Sequence, residues 1–232
     1  MGISGAAPLP LDTLQRFEKG LGVPLLEGYG LTETSPDTHC NTLKARKPGS
    51  VGRCIPGVQA KIIDENEKDL PVGQEGEICI RGPNIMLGYY NQPEATQSAF
   101  TADGWFRTGD VGKLDGDGFL FIQDRIKDMI IVKGLKVFSI QVEDVLTAHP
   151  AVAEAAVVGI PNSSGDETVK AFVVFKEGMA ADKAELLKFC QEKLPAYKRP
   201  KDIEALKELP KNALQKVLKR ELRARSISAK KT

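Results

Sequence analysis

The sequence predicts a chain of mixed class, α/β over its first part and α+β over its last hundred or so residues. Three observations carry this. A strand–helix–strand pattern opens the chain, period-2 alternation dominates from Val58 to Phe121, and a charged link near residue 125 leads into a region with its own strand and helix periodicity.

Ile3-Ser4-Gly5-Ala6-Ala7-Pro8 reads as the end of a buried strand running into a loop. Leu11, Leu14, Phe17 and Leu21 then recur at helical spacing, with Pro8 and Pro10 before them and Gly20 and Gly22 closing the stripe. Val23 to Leu26 is a short strand leading into Gly28-Tyr29-Gly30, and an irregular stretch with Pro36, Pro48 and Pro56 follows. Val58, Ala60 and Ile62 alternate with polar residues, as do Ile78 and Ile80. Asp115-Gly116-Asp117-Gly118 is a hairpin turn by composition. As a calcium loop it fails, because Leu120 stands where the sharp bend requires glycine. Beyond Asp124-Arg125-Ile126-Lys127-Asp128 the pattern predicts a strand pair reaching Phe138 and a helix over Ile140–His149. Strands over Val152–Ile160 and Val169–Lys176 come next, then a helix with Leu187, Cys190 and Leu194 on one face, and a last basic helix over Gln215–Arg225.

The 32 Lys and Arg nearly balance the 31 Asp and Glu over 232 residues, so the basic excess expected of a nucleic-acid-binding chain is lacking. No apolar run approaches the roughly 18 residues of a membrane-crossing helix, nor does an export leader stand at the start, so a cytoplasmic location, at most peripheral to a membrane, is expected. The charge is uneven: residues 207–232 carry nine basic and two acidic side chains, a net +7. Such a tail is a solvated face or a contact for an anion such as phosphate. Cys40, Cys54, Cys79 and Cys190 show no paired spacing, and His39 and His149 lie far apart, which argues against a zinc site, a Ser-His-Asp triad or a Cys-His pair built for nucleophilic attack. Chemistry here must rest on Lys, Arg, Asp, Glu, Thr and backbone amides.

Three segments are candidates for it. In Gly28-Tyr29-Gly30-Leu31-Thr32-Glu33-Thr34, Tyr29 suits stacking on a base, Thr32 a phosphate and Glu33 a magnesium ion, although an ordinary turn has the same composition. Neither the dinucleotide glycine fingerprint nor the phosphate-loop lysine motif is present. Gly104-Trp105-Phe106-Arg107-Thr108-Gly109-Asp110 puts a carboxylate beside a glycine, which suits a ribose diol or, equally, a strand closed by a Gly-Asp turn. Lys216 follows Pro210 through Gln215 on the approach to the terminal helix; alone it is a solvated charge.

In this order the segments acquire another meaning. Ser4-Gly5-Ala6-Ala7-Pro8, Tyr29-Gly30-Leu31-Thr32-Glu33, Gly76 through Gly82, Phe106-Arg107-Thr108-Gly109-Asp110, Asp124-Arg125-Ile126-Lys127 and Pro210 through Lys216 together resemble the acyl-adenylate-forming ligases, the superfamily of AMP-forming acyl-CoA synthetases. The resemblance spans nearly the whole chain. It implies a fold: residues 1–124 as the trailing part of a large AMP-binding domain, a strand–helix–strand unit plus a distorted β-barrel, and residues 125–232 as a small mobile α+β lid after a hinge at Lys127. It also implies roles. Gly5, Ala6, Ala7, Tyr29 and Gly30 frame the adenine, with Tyr29 against its face. Thr32 contacts the α-phosphate and Glu33 the Mg2+ ion. Asp110 accepts the ribose hydroxyls, and Arg125 donates to the ribose. Lys133 and Gly134 turn toward the thiol of coenzyme A, and Lys216 bridges substrate carboxylate and α-phosphate.

The resemblance therefore implies a ligase that joins a carboxylic acid, most simply a fatty acid, to ATP as acyl-AMP and then to CoA. Transfer to a carrier protein, or a truncated nucleotide-binding module without activity, are the other readings. Gln215 stands where the family commonly has glycine before its adenylation lysine, and Ser139 and Gln141 replace a common proline and glutamate. The family's Ser/Thr/Gly-rich loop for the β- and γ-phosphates has no counterpart, so the chain is expected to be the back half of a synthetase about twice its size, incompetent in catalysis by itself.

Overall fold

A computed structural model describes residues 1–162, 165–213 and 215–229. The chain divides into two compact units, Met1–Ile126 and Lys127–Thr232.

The first unit opens with β1 (Gly2–Ser4), α1 (Leu11–Leu21), β2 (Leu25–Gly30), a 3-10 turn (Thr32–Thr34), β3 (Asp37–Cys40) and β4 (Arg53–Cys54), forming one sheet in the order β1-β2-β3-β4. β1 and β2 are parallel, joined through α1, while β3 and β4 pair antiparallel. Gly22 ends α1 in the left-handed region at φ 65°, its N–H donating to the Glu18 carbonyl, which is why a glycine terminates the stripe. The first strand is not buried as its composition suggests, for Ile3 is 77% exposed. Successive strand residues face opposite ways: Gly2 lies under Phe17 of α1, and Ile3 points to the opposite face.

The second sheet of this unit is an antiparallel meander of β5 (Gln59–Ile63), β6 (Gly76–Arg81), β7 (Phe106–Leu114) and β8 (Leu120–Arg125). Ile62, Ile78, Ile80 and Leu120 form its core with Val51 and Val58, as the alternation predicts. Four strands are too few to close on themselves, and among the described residues the sheet stays open where the resemblance implied a barrel. A short helix, α2 (Pro93–Ser98), interrupts the predicted β region; it buries no side chain and so leaves no apolar stripe to be read. The Asp115–Gly118 segment is the turn expected. Asp115 Oδ1 accepts from the amides of Asp117 and Phe119, and both carboxylates pair with Lys47.

The second unit runs β9 (Ile130–Val132), β10 (Leu135–Val137), α3 (Ser139–Thr147), β11 (Val152–Pro161), β12 (Glu167–Phe175), α4 (Lys183–Lys193), β13 (Asp202–Ala205) and α5 (Lys219–Ala229). β9 and β10 make a hairpin; β11, β12 and β13 make a sheet in that order. Strand alternation sorts the core into two layers. Val157, Ala171 and Val173 face Val142 and Leu146 of α3 and Leu186 and Cys190 of α4, whereas Ala156, Val158 and Phe172 face Leu222 of α5. On α4 it is Leu186 rather than Leu187 that is fully buried with Cys190. α5 begins at Lys219, four residues later than the composition suggests. Lys211 and Val217 form a β-bridge, and the loop they close holds Gln215 at φ 62°, a backbone that cannot continue a helix.

Candidate nucleotide-binding site

In the first unit the sheet builds a buried carboxylate. Arg107 pairs with Cys79 and Val111 with Glu77, so three residues of β7 (Thr108, Gly109 and Asp110) stand opposite Ile78 alone. This bulge needs Gly109 at φ 70°. Four contacts fix it. Arg107 Nη2 and Nε donate to Glu77 Oε2 at 2.7 and 3.1 Å, and the Gly109 amide donates to Glu77 Oε1 at 3.3 Å. Thr108 Oγ1 donates to the Ile78 carbonyl at 2.8 Å. Asp110 is thus inside β7 and not at a strand end, and it is only 4% exposed. Across the ladder it stands opposite Arg125, whose Nε lies 3.1 Å from Oδ1, and the Tyr29 hydroxyl donates to Oδ2 at 2.6 Å. Burial, then the Asp110 charge, raises the Tyr29 phenol well above its usual 10.0, so it stays a donor.

The Gly5–Ala7 and Tyr29–Glu33 segments leave neighbouring parallel strands. Ser4 is in register with Glu27, which sets Gly5 beside Gly28, and Ala6 turns the chain at φ 68°. Gly30 has no alternative: a Cβ there would lie 1.9 Å from the Pro36 carbonyl oxygen, so only glycine lets the loop fold back and the Leu31 amide reach that carbonyl. The turn that follows is held on its inner side. The buried Thr34 hydroxyl accepts from the Leu31 amide at 2.9 Å, and Asn84 Nδ2 donates to the Thr34 carbonyl at 2.7 Å. On its outer side Thr32 is exposed, and Glu33 accepts from the Tyr89 hydroxyl at 2.9 Å. A hydroxyl beside one oriented carboxylate is the hard-oxygen donor set that suits a magnesium ion completed by phosphate and water, and the described residues hold no cluster of three or more metal-ligating side chains that would cage an ion by themselves.

The second unit carries the remaining expected positions, all exposed and all on turns. Lys127 lies in the turn before β9. Lys133 and Gly134, at φ 51° and 76°, are the two residues of the β9–β10 hairpin turn, whose twist requires positive φ at both, and the Lys133 amide donates to Asp166 Oδ2 at 2.7 Å. Lys216 sits in the Lys211–Val217 loop, its amide donating to Asn212 Oδ1 at 2.9 Å; Leu214 of the quoted motif lies outside the described residues. The two replaced positions are both engaged: Lys219 Nζ donates to the Ser139 hydroxyl at 2.6 Å, and Lys198 donates to Gln141.

Residues 1–90 match the family of AMP-binding enzymes, and residues 141–216 match the AMP-binding enzyme C-terminal domain. The chain belongs to the AMP-binding enzyme family. The resemblance carried by the six motifs is confirmed. The chain is 47% identical, over 95% of its length, to a long-chain-fatty-acid–CoA ligase of Bacillus subtilis, and 42% identical, over 96% of its length, to one of Escherichia coli. It superposes with a TM-score of 0.92 on ATP-bound MatB from Rhodopseudomonas palustris, at 40% identity, covering 96% of this chain and 44% of that one. With the anthranilate–CoA ligase AuaEII bound to anthranoyl-AMP the TM-score is 0.89 at 33% identity, covering 96% of this chain and 44% of that one. The chain spans about 40% of the length of the curated ligases it matches. Among the described residues no helix is long and apolar enough to cross a membrane.

Glu77 of the Gly76–Gly82 motif has a function in the site that its motif did not disclose: it holds the bulge that presents Asp110. Asn84 and Tyr89, which fix the Thr32–Glu33 turn, lie outside every motif and left no signal in the sequence.

Proposed function

We propose that this chain carries the adenosine-binding and lid portions of an AMP-forming acyl-CoA synthetase acting on a carboxylic acid, with a fatty acid as the favoured substrate class. The observation that carries the reading is the Asp110 carboxylate, buried on the bulge of β7 and oriented by the Tyr29 hydroxyl and Arg125. That is the receptor a ribose diol needs. Tyr29 and the Gly5–Ala7 turn frame the base, Thr32 meets the α-phosphate, and Glu33 holds Mg2+. When bound, the ion neutralises phosphate charge.

In the first half-reaction a carboxylate oxygen attacks the α-phosphorus, the bond to pyrophosphate breaks, and the Lys216 ammonium balances the two anions drawn together. In the second, the CoA thiol attacks the acyl carbon of a mixed anhydride and AMP leaves. Lys216 has no task there, so a rotation at Lys127 that withdraws it and brings Lys133-Gly134 to the thiol serves both steps. Acid, ATP and CoA are the partners, the compartment is the cytoplasm, and nucleic acid has no part.

The test is ribose discrimination. The chain is expected to bind AMP at least about tenfold more tightly than 2′,3′-dideoxy-AMP, because two hydrogen bonds to a carboxylate are lost in the analogue. Asp110→Asn should erase the preference. Equal affinity for both nucleotides in the unsubstituted chain would refute the ribose assignment.

A further inference from the structure

Strands β2, β3 and β4 bring together four residues under the Tyr29 side of the site, three of which have no part in the chemistry above. Tyr29 stands opposite His39, and His39 opposite Cys54, in antiparallel register. Between Tyr29 and Gly30 the register slips: Gly30 pairs with Asp37, and Thr38 is the extra residue of a β-bulge. Its hydroxyl replaces a ladder bond there, since Thr38 Oγ1 donates to the Tyr29 carbonyl at 3.1 Å. The same oxygen lies 3.0 Å from His39 Nδ1, and His39 Nε2 lies 3.2 Å from Cys54 Sγ. Thr38 and His39 are both 0% exposed, and Cys54 is half-buried.

One proton arrangement satisfies all of them. Burial lowers His39 to about 4 and raises the Cys54 thiol, so near neutral pH the ring has a single N–H and the sulfur keeps its proton. The Thr38 proton goes to the Tyr29 carbonyl, which obliges its oxygen to accept from Nδ1–H and leaves Nε2 to accept from Cys54 S–H. The chain of donors runs one way, from Cys54 through His39 and Thr38 into the backbone of Tyr29. It ends at the bulge separating Tyr29, whose hydroxyl meets Asp110, from Gly30, which leads to the Thr32–Glu33 turn.

We propose that Thr38, His39 and Cys54 are positioning residues for the nucleotide: their hydrogen-bonded chain fixes the Tyr29–Gly30 bulge and thereby the placement of the Tyr29 hydroxyl against Asp110, though none of the three touches the ligand. The proposal rests on the nucleotide-binding reading of the Tyr29–Asp110 cluster, and its test separates the two. In the 232-residue chain, nitrogen-15 NMR should show His39 as the neutral Nδ1–H tautomer at pH 7, with a slowly exchanging Tyr29 hydroxyl proton. Thr38→Val, which removes the hydroxyl at nearly constant volume, should abolish the tautomer preference, speed exchange of the Tyr29 proton and weaken AMP binding about five- to tenfold, the worth of one or two hydrogen bonds. Thr38→Ser should restore all three. An Nε2–H tautomer in the unsubstituted chain, or an unaltered Tyr29 proton in Thr38→Val, overturns the proposal whether or not AMP binds. AMP affinity within twofold of the unsubstituted chain in Thr38→Val does so as well. Failure of the unsubstituted chain to bind AMP counts against the nucleotide reading instead, and the tautomer and the Tyr29 proton still decide the positioning.

Discussion

The two units treat their expected functional residues in opposite ways. In Met1–Ile126 they are locked: Asp110 is buried between two partners, its bulge is clamped by Glu77 and Arg107, and Gly30 sits where no other residue fits. In Lys127–Thr232 they are exposed and on turns: Lys133 and Gly134 form a hairpin tip, and Lys216 follows a left-handed Gln215. Under the proposed function the contrast has a reason: groups that hold a nucleotide gain from not having to reorganise, whereas a lysine assigned to one half-reaction gains from being able to come and go.

The largest expected effect separates the two halves of the chemistry. In a full-length synthetase carrying these residues, Lys216→Ala should lower acyl-AMP formation by about a hundredfold or more, the scale of losing a group that stabilises transition-state charge. Thioester formation from supplied acyl-AMP should be spared. Equal loss in both, measured by pyrophosphate release and by CoA consumption, would show that Lys216 is no more mobile in its role than Asp110.

The next effect probes the locked unit by pH. His39 is held near 4 in the fold against 6.5 for a free imidazole, so the unfolded chain binds more protons between these values. The contribution of the neutral ring is therefore full above about 6.5 and is lost as pH falls toward 4, amounting to about 3 kcal/mol at 1.36 kcal/mol per unit. Urea unfolding at pH 7 and pH 4.5 should show this loss, and His39→Gln should remove most of the pH dependence in that window. A flat profile in the unsubstituted chain would mean the ring is not buried as described.

Glu77→Ala should cost about 1–3 kcal/mol, since it removes the acceptor of Arg107 Nε and Nη2 and of the Gly109 amide, leaving the guanidinium only its Nη1 pair with Glu67. It should also weaken AMP binding through Asp110; stability lost with AMP affinity intact would detach the clamp from the site. Smallest is Gln215→Gly, which relieves a left-handed non-glycine residue and should change stability by less than about 1 kcal/mol in the stabilising direction. Destabilisation of similar size would show that the Gln215 side chain contributes more than its backbone costs.

What was legible in the sequence follows from what periodicity can encode. Helix α1 with its Gly22 stop, the alternation over Ile78–Ile80 and the strands of the second unit all express local patterns, and they appear where those patterns lie. The Asp115–Gly118 turn was legible because its glycines and aspartates have local reasons to be there. Register was not. The bulges that set Asp110 opposite Arg125 and make Thr38 the extra residue arise from how strands pair, and no window along one strand contains that information. The early start assigned to α5 fails similarly, because the Lys211–Val217 bridge is a tertiary pairing in a stretch whose composition suits a helix. The candidate site's residues were proposed from motif order, but the partners that fix them could not be.

The central claim is that the locked residues of the first unit hold the nucleotide. The most direct measurement is an AMP titration of the 232-residue chain followed by amide NMR. The account predicts that the perturbed amides cluster at Ala6–Ala7, Tyr29–Glu33, Asp110 and Arg125, and that Asp110→Asn suppresses the shifts. Perturbations confined to residues beyond Lys127, or unchanged by Asp110→Asn, would contradict it.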